Sequence, residues 1–111
     1  MSTVTTHVLD TARGRPAVGV AVRLERVVSG GSEPVASAAT DGDGRVRDLG
    51  ADDLIAGTYR LVFGTADYFS GLGVETIYPQ VAVEFSLADP GEHYHVPLLL
   101  SPFGYSTYRG S

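Results

Sequence analysis

The sequence holds no cysteine and no lysine. The first absence removes thiol nucleophiles, Cys-x-x-Cys redox chemistry and cysteine-ligated zinc, and it leaves the redox compartment open. The second makes all eight basic residues arginine, which excludes Schiff-base chemistry and the lysine of a phosphate-binding P-loop. Thirteen acidic residues bring the formal net charge to -5. No basic stretch suits a polyphosphate backbone, so no nucleic acid partner is expected. No apolar run approaches membrane-spanning length, and the N-terminus lacks the basic, then apolar, then small-residue order of a signal peptide. The expectation is a cytoplasmic protein with no membrane partner, and the initial Met1 agrees with an unprocessed N-terminus. No repeat, low-complexity tract or linker divides the chain, so residues 1–111 read as a single domain. A chain of that length buries about two-thirds of its unfolded surface and needs no disulfide or structural metal.

What the sequence does contain is alternation. Residues 3–11 (TVTTHVLDT) set Val4 and Thr6 against Thr5 and His7, the period-two pattern of a first strand. Gly14 and Pro16 punctuate a turn. Residues 19–28 then alternate Val20, Val22 and Leu24 with Ala21, Arg23 and Glu25, a half-buried strand with its charges outward. Gly30-Gly31 makes a hairpin turn into a strand over residues 33–40. The next turn is Asp41-Gly42-Asp43-Gly44, followed by a short strand from Arg45. Alternate carboxylates open several calcium loops, but Arg45 puts a cation where the next oxygen ligand would be needed, so a solvated turn is the reading.

Residues 49–56 read as a loop exposing Asp52 and Asp53, and residues 57–64 (GTYRLVFG) as a strand with Tyr59, Leu61 and Phe63 on one face. Residues 65–73 (TADYFSGLG) predict the one helix, with Thr65 as its cap, Asp67 in its first turn, Tyr68, Phe69 and Leu72 sharing one side, and its aromatics in the core. Residues 79–87 alternate again, with Val81, Val83, Phe85 and Leu87 inward. Asp89-Pro90-Gly91 turns the chain into its last segments, which end in a strand over residues 104–108. About seven or eight short strands with one helix define an all-β, two-sheet antiparallel sandwich.

The stretch HYHVPLLLSPFGYSTYRGS, residues 93–111, exceeds what a core requires. His93 and His95, at i and i+2, share one strand face, while Val96, Leu98 and Leu100 take the other. Pro97 cannot donate to a ladder, so a bulge or a free edge is expected there. Taken singly, such a histidine or arginine is ordinarily a surface residue or a weak ion-pair partner. That reading is kept for Arg13, Arg15, Arg23, Arg26, Arg47 and Arg60, and Ser101, Ser106 and Thr107 are read as turn, strand and pocket residues rather than nucleophiles.

Several stretches together resemble a known family. His7-Val8-Leu9-Asp10 with Gly14-x-Pro16-Ala17, the Asp43-Gly44-Arg45 turn, and above all the terminal Tyr108-Arg109-Gly110-Ser111 are similar to the 5-hydroxyisourate hydrolases, the enzyme branch of the transthyretin-like proteins. The similarity runs the length of the chain in order. It implies a prealbumin-like sandwich assembled as a homotetramer, two dimers face to face, with active sites at the dimer-dimer interface. It also implies metal-independent hydrolysis, without a cofactor, of the small-molecule substrate 5-hydroxyisourate to 2-oxo-4-hydroxy-4-carboxy-5-ureidoimidazoline in urate degradation. Carried over by motif, the catalytic set is His7, Arg45 and His95, and substrate is bound by His7, Arg45, Tyr108, Arg109, Gly110 and Ser111. His93 lies outside the family's catalytic set. Val18, Leu99 and Tyr105 are expected at the apolar contacts between subunits.

The chemistry of these residue types agrees with that assignment on separate grounds. Opening a cyclic amide with water requires a base for the water, a proton for the leaving nitrogen, and positive charge near the developing oxyanion. Imidazoles titrate near neutrality and can be base and acid, and an arginine fork can hold a planar, oxygen-rich substrate. Which histidine is the base stays open at this stage. The Ser111 carboxylate is expected to hold a histidine or arginine in place. Three rival readings use the same residues: a His-only zinc hydrolase site, a non-enzymatic transthyretin-like carrier, and a β-sandwich interaction module. The last two need neither His95 nor a functional C-terminus.

Overall fold

The computed structural model describes residues 3–49 and 53–111; Asp52, expected on an exposed loop, lies outside them. Ten strands and one helix follow in the order β1 (Val4–Asp10), β2 (Arg15–Pro16), β3 (Ala21–Val28), β4 (Gly31–Ala39), β5 (Arg45–Val46), β6 (Gly57–Phe63), α1 (Thr65–Gly71), β7 (Val81–Leu87), β8 (Tyr94–His95), β9 (Leu98–Ser101) and β10 (Gly104–Thr107). They form two sheets, a four-stranded one in the order β4-β3-β6-β7 and a six-stranded one built on β10-β9-β1-β2, with β5 and β8 also pairing with β1. The period-two alternation in the sequence becomes the inner faces: Val22, Leu24, Leu61, Phe63 and Leu87 of one sheet meet Val4, Val8, Leu98 and Leu100 of the other, all buried. Removing this apolar surface from water is the main favourable contribution to the fold, at about 25 cal/mol per Å².

The all-β two-sheet sandwich is as expected, with three differences in detail. The strand count is higher because β1 is flanked by two-residue strands and because Pro97 separates β8 from β9, as a residue without an N–H must. Pairing is antiparallel throughout the four-stranded sheet, whereas β1 runs parallel to both β8 and β9. The crossover joining the sheets brings the late segment back in the same direction as the first. Finally, Thr65 does not cap α1. The N-cap is Gly64, without a side-chain hydrogen bond, and the buried Thr65 Oγ1 donates instead to the Tyr78 carbonyl at 2.9 Å. Burial gave that hydroxyl a carbonyl acceptor outside the helix, where it anchors α1 to the chain leading into β7.

Phe69 of α1 is buried, as expected of the helix aromatics, and Leu72 just beyond the helix is 39 % exposed. Tyr68 is half-buried and donates its hydroxyl to Asp10 Oδ2 at 2.7 Å. Desolvation, and then that bond to a carboxylate, raise its pKa.

Candidate active site

The site grows from the outer side of β1. Thr6 points inward and donates its hydroxyl to the Val96 carbonyl, so Thr5 and His7 point outward. β8 is clamped beside this segment by two backbone bonds, from Tyr94 N–H to the Thr3 carbonyl at 2.8 Å and from Val96 N–H to the Thr5 carbonyl at 3.0 Å. That register sets His95 opposite Thr5. Thr5 Oγ1 then lies 2.8 Å from His95 Nδ1 and 2.9 Å from His93 Nε2, and the two imidazoles stack with centroids 6.4 Å apart.

On the other side of β1, β5 pairs antiparallel and places Arg45 opposite His7. The turn preceding β5 is folded around one carboxylate. Asp41 Oδ1 accepts the N–H groups of Asp43 and Arg45, both at 2.9 Å, and Oδ2 accepts from Arg47 at 2.9 Å. The Arg45 N–H, followed by the Asp43 N–H and the Arg47 charge, holds the Asp41 carboxyl below its usual pKa. Arg47 also lies 3.7 Å from Asp43. Arg47 therefore takes the ion pairs of this acidic turn, and the Arg45 guanidinium makes none among the described residues. His7 Nε2 lies 2.9 Å from the Asp43 carbonyl. A carbonyl only accepts, so Nε2 carries the proton and Nδ1 keeps the lone pair of the neutral ring.

The chain's end closes the site. Gly110 N–H donates to the His95 carbonyl at 2.7 Å, an isolated bridge beyond the last strand, and Ser111 follows it into the lining of the cavity that His95 shares. Thr5, Arg45, Arg47, His93, His95 and Ser111 line a cavity of about 430 Å³. Inside it His95 is held below its ordinary pKa of about 6.5, first by burial and then by electrostatic repulsion of its charged form from Arg45, His93 and His7.

Of the residues expected from sequence, Arg45, His95 and Ser111 share this cavity, His7 flanks Arg45 across the β1/β5 ladder, and Gly110 contributes its backbone. Tyr108 and Arg109 line a second cleft of about 230 Å³ with Phe85 and Tyr94. Arg109 covers the Tyr94 ring at 4.4 Å and donates to the His93 carbonyl at 3.2 Å, so its contact with the first cavity runs through backbone. Thr5, His93 and Arg47 line the first cavity although motif reasoning left them out. The signal for Thr5 was its i, i+2 relation to His7, and for His93 its i, i+2 relation to His95. Among the described residues no three His, Cys, Asp or Glu side chains are grouped as ligands of one metal ion, so the residue geometry does not favour the zinc-site reading. No helix among them is long and apolar enough to cross a membrane.

A two-sheet sandwich of this topology, with imidazoles and a guanidinium on the outer side of one sheet, is a transthyretin-like protein. The model of the HIUase/Transthyretin family matches residues 4–110, and the chain belongs to that family. A 5-hydroxyisourate hydrolase of Halalkalibacterium halodurans is 51% identical over 115 residues, covering 97% of each chain. The solved structure of Klebsiella pneumoniae 5-hydroxyisourate hydrolase matches with a TM-score of 0.86 and 39% identity, over 97% of this chain and 98% of that one. Sea bream transthyretin in complex with thyroxine matches with a TM-score of 0.89 and 32% identity, over 97% and 94%.

Proposed function

We propose that the chain hydrolyses 5-hydroxyisourate in urate degradation, adding water across a ring amide without a metal or cofactor. The observation that carries this reading is the meeting in one cavity of Arg45, whose guanidinium makes no ion pair among the described residues, and His95, an imidazole biased toward its neutral form, with Ser111 in the lining. Similarity to 5-hydroxyisourate hydrolases over nearly the whole chain supports it.

In the proposed reaction a neutral imidazole takes a proton from water as the new C–O bond forms at the ring carbonyl. Arg45 stabilises the oxyanion of the tetrahedral intermediate. The C–N bond then breaks as the leaving nitrogen receives a proton from an imidazole N–H. His95 is assigned the base role because burial and cationic neighbours keep it unprotonated. His7, oriented by the Asp43 carbonyl, is assigned to binding and orienting the substrate and the attacking water through the lone pair of its Nδ1. Ser111 is assigned to holding the substrate against Arg45, and Tyr108 and Arg109 to shaping the tail that carries it.

The chain is further proposed to form a homotetramer, a dimer of dimers in which the site-bearing sheet faces a second copy. Exposed Val18 and Tyr105, at 54 % and 44 %, with partly exposed Leu99, support an apolar contact there. A uricase-coupled assay following the loss of 5-hydroxyisourate absorbance tests the activity, and light scattering tests the mass. His7→Asn, His95→Asn and Arg45→Glu are each expected to lower kcat/KM by about 10²–10⁴-fold. Near wild-type turnover by all three would refute the assignment.

A further inference from the structure

The Thr5 hydroxyl has one proton and two imidazole neighbours, and this sets a constraint on the site. With His95 Nδ1 at 2.8 Å and His93 Nε2 at 2.9 Å, Oγ1 can donate to only one of them, so the other ring nitrogen must donate to Oγ1. The two arrangements differ in what His95 offers at Nε2, which has no hydrogen-bond partner among the described residues. If Nδ1 carries the proton, Nε2 is a lone pair and a base. If Nδ1 accepts from Thr5, Nε2 carries the proton and is an acid.

We infer that Thr5 and His93 form a proton relay behind His95, switching its Nε2 between base and acid within one turnover. This rests on the hydrolase reading above and assigns roles to two residues outside its catalytic set. The protons balance as follows. His95 begins with Nδ1–H donating to Thr5 and Thr5 donating to His93 Nε2. When Nε2 of His95 takes a proton from the attacking water, the Nδ1 proton moves to Oγ1 and the hydroxyl proton moves to His93. His93 becomes the imidazolium, and His95 is left neutral with Nε2–H. As Nε2–H is given to the leaving nitrogen, the same two protons return along the chain. No proton is gained or lost overall, and His95 is spared a cationic ring in the first transfer and an anionic ring in the second.

Three features of the fold suit this role. The backbone bonds that fasten β8 to β1 on either side of His95 fix the Thr5 contact. His93 is solvent-exposed, so a charge parked there is hydrated, whereas burial disfavours charge on His95. The donation from Arg109 to the His93 carbonyl fixes the backbone at the far end of the relay. The charged groups around the two rings are His7 from β1, Arg45 and Arg47 from and beyond β5, the Ser111 carboxylate, and Arg109 with Glu92 beside His93.

The test uses full-length Thr5→Val, Thr5→Ser and His93→Gln in the 5-hydroxyisourate assay. Valine keeps the branched shape and removes the hydroxyl. Glutamine keeps a hydrogen-bonding group near Thr5 and cannot carry the proton. Thr5→Val and His93→Gln are each expected to lower kcat by about 10–100-fold with KM within about threefold, and the double variant to be no slower than Thr5→Val alone, because the chain is cut either way. Thr5→Ser is expected to restore most of the rate, and His93→Gln to move the acid limb of the kcat/KM profile to higher pH by removing the repulsion that His93 exerts on the charged form of His95. Full-rate turnover by Thr5→Val or by the exposed-site variant His93→Gln would overturn the relay and leave the hydrolase reading standing. A Thr5→Val loss that serine does not restore would reduce Thr5 to packing and also overturn it. Wild-type protein inert toward 5-hydroxyisourate would overturn the hydrolase reading and the relay with it.

Discussion

Gly110 lies against the His95 ring: a β-carbon at Gly110 would stand 2.6 Å from His95 Cδ2, 3.4 Å from Cγ and 3.4 Å from Pro97 Cγ. The glycine is required by space, since its own N–H must come close enough to reach the His95 carbonyl at 2.7 Å. Gly110→Ala has to move either the imidazole or the tail. Because a displacement of the order of 1 Å in a reacting group costs about 10²-fold, kcat is expected to fall by about 10–100-fold. Thermal unfolding of the variant should stay close to that of the parent, since the bridge lies outside the two sheets. Activity and Tm measured on the same preparation check both halves.

A residue added after Ser111 should act on the same joint. Ser111 lines the cavity and is carried there by the Gly110 bridge, so an extension displaces its carboxylate and places new backbone in the substrate's space. The expected outcome is loss of turnover by at least about 10²-fold with an unchanged melting curve. Normal activity in the extended chain would remove the carboxylate from the mechanism.

The pH dependence follows from the sign of the His95 shift. Burial, then Arg45, His93 and His7, disfavour its charged form, so its folded-state pKa lies below the ordinary 6.5. A neutral base is therefore expected to persist below that pH, and kcat/KM should lose its acid limb with a midpoint below 6.5. Salt screens the cationic neighbours and should move that midpoint upward. The same shift is linked to stability. The unfolded chain binds this proton more tightly, so the His95 contribution is complete above about 6.5 and is lost as pH falls through the lower folded-state value. Asp41, and Glu25 held down chiefly by its hydrogen bond to Arg23, are lowered carboxylates. Their contributions are present above about pH 4 and lost as the solution is acidified further. Rate profiles and Tm against pH check these directions.

Gly44 couples the acidic turn to the core. Its φ is +75°, and a β-carbon there would meet the Val8 carbonyl at 2.5 Å and Pro16 Cβ at 2.9 Å. Its carbonyl accepts from Val8 N–H at 2.7 Å. Gly44→Ala is expected to destabilise the fold by about 2–4 kcal/mol, combining left-handed strain with a forced separation of β1 from the turn. It should also reduce turnover, because Arg45 and the Asp43 carbonyl that orients His7 sit on either side of it. Denaturant unfolding and the activity assay together check the prediction.

Much of the four-stranded sheet was legible before any coordinates. Val22, Leu24, Leu61 and Phe63 announce their face by period two alone, and Gly30 supplies the positive φ its hairpin needs. Thr65 shows where local reasoning failed. A threonine at the start of a short helix looks like a cap, yet the Tyr78 carbonyl thirteen residues away took its hydroxyl. Tyr108 and Arg109 belong to the terminal motif, yet both line the cleft beside Phe85 and Tyr94; they lie beyond the last strand, where no side-chain period sets direction and packing against Tyr94 decides it.

The order of residues by itself determined the strands, the turns, the shared face of His93 and His95, and the terminal tetrapeptide that marks the family. These depend on neighbours in the chain, where side-chain period and turn chemistry act. Only the tertiary structure decided that β8 lies parallel to β1, so that Thr5 comes to sit between two histidines 88 and 90 positions away, and that Gly110 fastens the chain's end to His95. Contacts between such distant segments are chosen by the packing of whole sheets, and no local pattern carries that information.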